Sequence, residues 1–193
     1  MAEIADASWA HGRDCDSVTQ RIVVTGSEST GKTTLAGELA ASYKALLVPE
    51  MARVYAEERL AEGFTLTADD VAPIARRAIA AEDALLAGAP PRVFLDTDLV
   101  STVVYARHYY GACPAWIETA ARERLGAMYL LCAPDLPWIA DGVRDQADHR
   151  EEVHALFQRV LIEFGARVAD VAGLGDSRTA TAIAAVATMV ATN

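Results

Sequence analysis

The stretch Gly26-Ser27-Glu28-Ser29-Thr30-Gly31-Lys32-Thr33 fits G-x-x-x-x-G-K-[ST] at every fixed position, and the chemistry open to such a stretch is the cradling of phosphate. Gly26 and Gly31 can take backbone angles closed to other residues, so successive N–H groups can point inward at an anion. A helix starting at Lys32 adds its positive end to that attraction. Lys32 is long enough to reach β- and γ-phosphates, and the Thr33 hydroxyl is a hard oxygen ligand suited to Mg²⁺. Gly26, Ser29, Thr30, Gly31, Lys32, Thr33 and Thr34 are therefore the expected contacts of a nucleoside triphosphate.

Four further groups of residues could serve the same centre. Asp96 closes the apolar run Arg92-Val93-Phe94-Leu95, the position from which an acid holds Mg²⁺ directly or through water; it could equally cap a helix. Asp98 stands just before a helix and is suited either to capping it or to a substrate or base role. Glu50 follows a short strand and could take a proton from a substrate hydroxyl, or complement a helix N-terminus. Arg53, one turn on, shares its face and could meet substrate or pair with Glu50. In the segment 135–150, Arg144 and Arg150 follow a Gly142 hinge, and arginines in such a closing segment meet developing charge on a phosphoryl group; Arg144 could instead pair with Asp141 or Asp145. Trp138 could stack on a ligand ring or anchor its loop. Arg178 is placed either near an adenine or at a helix cap.

These side chains need a scaffold that brings them together. Arg21–Thr25, Ala45–Val48, Arg92–Asp96, Ala127–Cys132 and Arg167–Val171 read as short buried strands, alternating with helical stretches 32–43, 49–58, 67–87, 98–110, 114–124, 149–164 and 177–191. Such alternation implies a parallel sheet with helices on both faces, whose ligands bind beyond the carboxyl ends of the strands. We expect an α/β P-loop NTPase fold, five strands in the order 2-3-1-4-5, with a small lid at about 135–150. Residues 1–20 carry no sustained period and read as a flexible N-terminal arm; 21–193 read as one domain.

Composition narrows the partners. The chain has 193 residues, 52% hydrophobic and 23% charged, with a net charge of −10. That balance argues against non-specific nucleic-acid binding and against an anionic membrane surface. Cys15, Cys113 and Cys132 are widely spaced, which suggests neither a zinc site nor a disulfide framework. No apolar run reaches membrane-spanning length, and the N-terminus lacks the order of a signal peptide, so a cytoplasmic location is expected.

Four segments in one order carry a resemblance: 26–35 with the phosphate loop, Pro49-Glu50-x-Ala-Arg53-x-Tyr55, Leu95-Asp96-Thr97-Asp98-Leu99-x-Ser101-Thr102, and Pro137-Trp138-x-x-Asp141-Gly142-x-Arg144. Together they resemble the ribosylnicotinamide kinase domain of bacterial bifunctional NAD-salvage proteins and the AAA-labelled small ATPases around it, over about residues 21–190. The resemblance implies ATP- and Mg²⁺-dependent phosphorylation of the ribose 5′-hydroxyl of nicotinamide riboside. It implies Lys32 and Thr33 on ATP–Mg²⁺, Glu50 with the Asp96/Asp98 pair around substrate and metal, and Arg144 in the lid. ATP rather than GTP follows from it as well, and no Asn-Lys-x-Asp guanine signature is present. The companion adenylyltransferase domain of those proteins is not expected within these residues.

One position departs from the pattern. The family's kinase carries an aromatic side chain immediately before the acid of the second segment, where Pro49 stands here, and helix 67–87 has no aromatic residue. Either Trp138, Tyr55 or Tyr109 supplies the ring contact, or the substrate differs. The expected activity is a small-molecule kinase acting on nicotinamide riboside or a related nucleoside; the alternative is a regulatory or hydrolytic ATPase acting as a nucleotide-dependent switch. A nucleoside-type small molecule is the expected partner, with a homo-oligomer left open.

Overall fold

Five short strands carry alternating apolar side chains on both faces, which suits them to a parallel sheet covered on two sides. In the computed structural model, which describes residues 19–138 and 149–191, they are β1 (Gln20–Thr25), β2 (Leu46–Val48), β3 (Arg92–Asp96), β4 (Met128–Cys132) and β5 (Val168–Val171). All pair in parallel, in the order β2-β3-β1-β4-β5, as expected from the sequence. Val24 of β1 pairs with Asp96 of β3 and Leu130 of β4. The strand ends that carry the phosphate loop and the acid therefore finish side by side.

The alternation along each strand builds two cores. Ile22, Val24, Phe94 and Leu130 pack with helices α1 (Lys32–Tyr43) and α7 (Asp176–Ala191), including Leu35, Leu39, Val186 and Met189. Val23, Leu95, Tyr129 and Leu131 face the other way, onto α3 (Val71–Leu86), α4 (Leu99–Tyr110), α5 (Ala115–Glu123) and α6 (Arg150–Phe164). Fully buried side chains such as Phe94, Leu39, Leu131 and Phe157 each contribute roughly 1.5–3 kcal/mol relative to exposure. The remaining helix, α2 (Met51–Ala61), packs on α3.

Several boundaries shift from those read off the sequence, and in two of them a cap claims the residue. The stretch from Thr67 opens as a 3₁₀ turn, Ala68–Asp70, and α3 starts only at Val71. There the Thr67 N–H donates to Asp70 Oδ2 at 2.8 Å while the Thr67 side chain accepts from the Asp70 N–H, the reciprocal pattern of a capping box. Ala45 is lost to β2 because its N–H turns back to the Ala40 carbonyl at 2.9 Å, behind Lys44 in the left-handed conformation. No described helix is long and apolar enough to cross a membrane. The expected arm and lid fall largely outside the described residues.

Candidate nucleotide and acceptor site

β1 delivers the phosphate loop to the carboxyl edge of the sheet. Gly26 has φ 139°, and a Cβ there would lie 2.7 Å from the Cys132 carbonyl oxygen, so only glycine lets the loop close on the end of β4. Gly31, φ 73°, precedes α1. Lys32 is buried; its Nζ donates to the Ser27 carbonyl at 2.7 Å, and the Thr30 hydroxyl donates to the same oxygen at 2.8 Å.

Two arginines from distant elements reach this loop. Arg150, the first residue of α6, donates to the carbonyls of Glu28 at 3.1 Å, Ser29 at 3.2 Å and Leu136 at 3.0 Å. Arg178, in the first turn of α7 and 4% exposed, donates to the Thr30 and Ala133 carbonyls at 2.9 and 3.0 Å. It also meets the Gly173 carbonyl at 2.9 Å and Asp135 Oδ1 at 2.7 Å.

The acids fall into two groups. Asp96, 2% exposed, accepts a hydrogen bond from the Thr33 side chain, and its Oδ1 is buried with no hydrogen-bond partner among the described residues. Burial raises the Asp96 carboxyl above the usual range; the Thr33 hydrogen bond opposes this, the Glu50 charge reinforces it, and Lys32 and Arg53 oppose it. Glu50 is buried immediately before α2, with Arg53 Nε 3.3 Å from its Oε2. Lys32, Thr33, Glu50, Arg53 and Asp96 thus share one cluster.

Asp98 has different partners. Between it and Asp96, Thr97 sits at φ 67°, a conformation costly for a β-branched residue, with its N–H on the Val24 carbonyl at 3.0 Å. Beyond that turn, Asp98 caps α4 by accepting from the Val100 N–H at 3.0 Å and takes the Tyr129 hydroxyl at 2.6 Å. Burial pushes its carboxyl up to about 6, against those two hydrogen bonds and with help from the nearby Glu82 charge.

Asp98 also lines a cavity between α2, α3 and α4, whose wall includes Pro49, Met51, Tyr105 and Tyr109. Its carboxylates are Asp98 and Glu82, and no Lys, Arg or His is among its described lining residues. Glu82 is buried and held by Arg21 at 2.8 Å and Arg124 at 3.2 Å. The Tyr105 and Tyr109 rings lie nearly parallel, centroids 6.0 Å apart. The Tyr109 hydroxyl donates to Glu28 Oε1 at 3.0 Å, linking this wall to the phosphate loop.

Of the candidate ring contacts, Tyr109 lines the cavity. Tyr55 instead donates to Asp70 Oδ1 at 2.7 Å, and Trp138 is exposed and not part of the lining. Arg144 lies outside the described residues. Sequence reasoning assigned no role to Glu28, and it read Arg150 as a lid arginine for the phosphoryl group, whereas its guanidinium holds loop carbonyls. Each carried a signal: a carboxylate inside an anion-binding loop, and a cation at the positive end of a helix, where the macrodipole disfavours it.

A family model described as an AAA domain matches residues 21–178. The trifunctional NAD biosynthesis/regulator protein NadR of Escherichia coli (strain K12) is 28% identical over 146 residues, covering 74% of this chain and 34% of the relative. NadR of Salmonella typhimurium (strain LT2) is 27% identical over 143 residues, with the same coverage. The chain thus spans about a third of the length of these curated relatives. A crystal structure of NadR in complex with NR superposes with a TM-score of 0.76 at 31% identity, covering 89% of this chain and 52% of that one. NadR in complex with NAD and AMP-PNP gives 0.69 at 29%, covering 89% and 50%. Thymidylate kinase from Ehrlichia chaffeensis, 12% identical with a TM-score of 0.65 over 89% of this chain and 98% of its own, shares the fold. With the phosphate loop, the strand order and the match over 21–178 in agreement, the chain belongs to the AAA-domain family, as a nucleotide-binding P-loop protein with a kinase-like fold related to NadR.

Proposed function

We propose that the protein is an ATP-dependent kinase that phosphorylates the 5′-hydroxyl of a nucleoside carrying a cationic ring, nicotinamide riboside in the first place. The observation that carries this reading is the charge of the cavity beside the phosphate loop. Its described lining holds tyrosine rings and the carboxylates of Asp98 and Glu82, the latter already paired with Arg21 and Arg124 behind the wall, with no cation in the lining itself. An acceptor that already bears a phosphate would need a basic partner there. A pyridinium ring is instead favoured by carboxylates and aromatic faces. Tyr109 and Tyr105 on α4 then supply the aromatic contact that Pro49 cannot.

In this mechanism the acceptor oxygen bonds to the γ-phosphorus as the bond from that phosphorus to the β,γ-bridging oxygen breaks, and ADP leaves. Glu50, near Asp96 and between the cavity-lining Pro49 and Met51, accepts the hydroxyl proton. Lys32 and the loop amides balance charge on the phosphates, and Arg53 sets the orientation of Glu50. The Thr33 hydroxyl and the orphaned Asp96 Oδ1 fit Mg²⁺, a cation that takes hard oxygen ligands; when bound it supplies charge neutralisation between the phosphates. Asp98 positions the acceptor, Arg144 and Trp138 act from the lid, and Arg178 serves the nucleotide side.

The test is a mass-spectrometric screen for ATP-dependent phosphorylation of nicotinamide riboside, nicotinic acid riboside, uridine, adenosine and thymidine monophosphate. Nicotinamide riboside is expected to be the preferred acceptor, and the carboxylated analogue to be rejected. Preference for the nucleotide, or slow ADP release that no acceptor stimulates, overturns the reading; the latter would favour a switch.

A further inference from the structure

Four consecutive carbonyls of the phosphate loop are each held by a side-chain cation. Lys32 holds that of Ser27, Arg150 those of Glu28 and Ser29, and Arg178 that of Thr30. The peptide unit is planar and trans, so the N–H of residue i+1 points opposite to the carbonyl of residue i. Fixing the carbonyls of 27–30 therefore fixes the directions of the N–H groups of Glu28, Ser29, Thr30 and Gly31. Those are the amides through which such a loop grips phosphate.

The two arginines are also in places that need a reason. Arg150 opens α6 and Arg178 lies in the first turn of α7, the helix ends at which a cation is disfavoured. Each guanidinium spends its fork on several acceptors: three carbonyls for Arg150, and three carbonyls with one carboxylate for Arg178. An ammonium, a point donor, cannot span such a set. Arg150 ties the loop to the residue where the segment after β4 departs, Leu136, and Arg178 ties it to Ala133, Asp135 and Gly173.

We propose that Arg150 and Arg178 are positioning residues that pre-set the phosphate loop from its carbonyl side, aiming its amides before nucleotide arrives. The proposal rests on nucleotide binding by the loop and is independent of the acceptor. A pre-set loop avoids paying for ordering at the moment of binding, which is the general benefit of preorganised dipoles. The consequence is specific: the loss should be common to every ligand that places a β-phosphate in the loop, and should be visible in the protein without ligand.

The experiment compares Arg150→Lys and Arg178→Gln with the parent protein. Binding of ATP, ADP and AMP is measured by calorimetry, and amide hydrogen exchange at residues 28–31 by NMR without nucleotide. ATP and ADP should both weaken by about tenfold or more, as expected when hydrogen bonds from a charged donor are lost, while AMP is unaffected. Exchange at those four amides should accelerate in the nucleotide-free variants. If Arg150→Lys weakens ATP alone and leaves ADP affinity and loop exchange unchanged, its guanidinium contacts the γ-phosphate directly and the proposal falls. Unchanged affinities for all three ligands overturn it as well. Should Arg178→Gln fail to fold, Arg150→Lys decides. Absence of nicotinamide riboside phosphorylation would leave these readouts untouched.

Discussion

The Tyr109 hydroxyl and Glu28 Oε1 lie 3.0 Å apart, joining the wall of the acceptor cavity to the phosphate loop. Glu28 is 8% exposed and carries a negative charge in a loop built for anions, so where its carboxylate is held matters to a triphosphate. Tyr109→Phe keeps the ring and removes the donor. The expected result is ATP binding weaker by about 10- to 150-fold, the range of a lost hydrogen bond to a charged group at about 1.5–3 kcal/mol. Adding Glu28→Gln in the same chain should recover most of that loss, because the charge is gone. Calorimetry on the two variants checks it, and an additive further loss in the double variant would refute the explanation.

Asp96 presents the opposite balance between stability and use. Its buried carboxyl has one oxygen with no hydrogen-bond partner among the described residues and is raised above the normal range by burial. Such a group destabilises the ligand-free protein and is retained for what it binds. Asp96→Asn should therefore raise Tm in the absence of nucleotide, by about 2–4 °C for each kcal/mol recovered in a chain of this size. The same variant should lose at least about a hundredfold in turnover and require more Mg²⁺ for what remains. Thermal unfolding and a Mg²⁺ titration of activity test both halves; an unchanged Mg²⁺ requirement would remove Asp96 from the metal site.

Most of this arrangement could be read from local signals, and the part that could not depends on contacts distant in sequence. The phosphate loop, the strand ending in Asp96 and the parallel sheet follow from motif and periodicity, which act within a few residues, whereas the order of the strands was expected from the resemblance to kinase-like P-loop folds. The sequence places Glu50, Asp96 and Asp98 together at the strand ends of one parallel sheet; Glu50 lies near enough to Asp96 for its charge to raise that carboxyl, whereas Asp98 turns to Tyr129 and the cap of α4. Asp98 was legible as a helix cap but not as the partner of Tyr129, 31 positions away. Arg150 reaches Glu28 across 122 positions, and nothing local announces that beyond a cation at an unfavourable helix end. The cavity was missed for the same reason: α2, α3 and α4 each contribute several side chains to it, and only the packing of elements distant in sequence brings them together.

Lys32 carries the clearest single-residue expectation. Its Nζ sits on the Ser27 carbonyl at 2.7 Å, within the loop whose phosphates it would meet. Lys32→Ala should reduce phosphoryl transfer by about a hundredfold or more, the scale of removing one preorganised charge from a developing transition state. The far-UV circular dichroism should be unchanged, because Leu35 and Leu39 still bury the inner face of α1. Full activity in a folded Lys32→Ala protein would mean that this loop does not serve catalysis.

Asp98 sets a pH dependence whose sign can be worked out. Its ordinary value is 3.8 and burial moves it to about 6 in the folded chain. Between those values the folded protein holds a proton on Asp98 that the unfolded chain has released, so the unfolded state binds fewer protons and stability falls as pH rises. The group therefore contributes least destabilisation below about pH 4, and its full cost, on the order of 2–3 kcal/mol, is reached above about pH 6. Asp98→Asn mimics the protonated carboxyl in shape while staying neutral, and its carbonyl can still accept from Tyr129 or Val100. Urea unfolding at pH 4, 5 and 6 should show the wild-type stability declining more steeply across this window than that of Asp98→Asn. Parallel curves for the two proteins would show that Asp98 ionises in the folded state at its ordinary pH, and that its contact with Tyr129 is made by a carboxylate throughout.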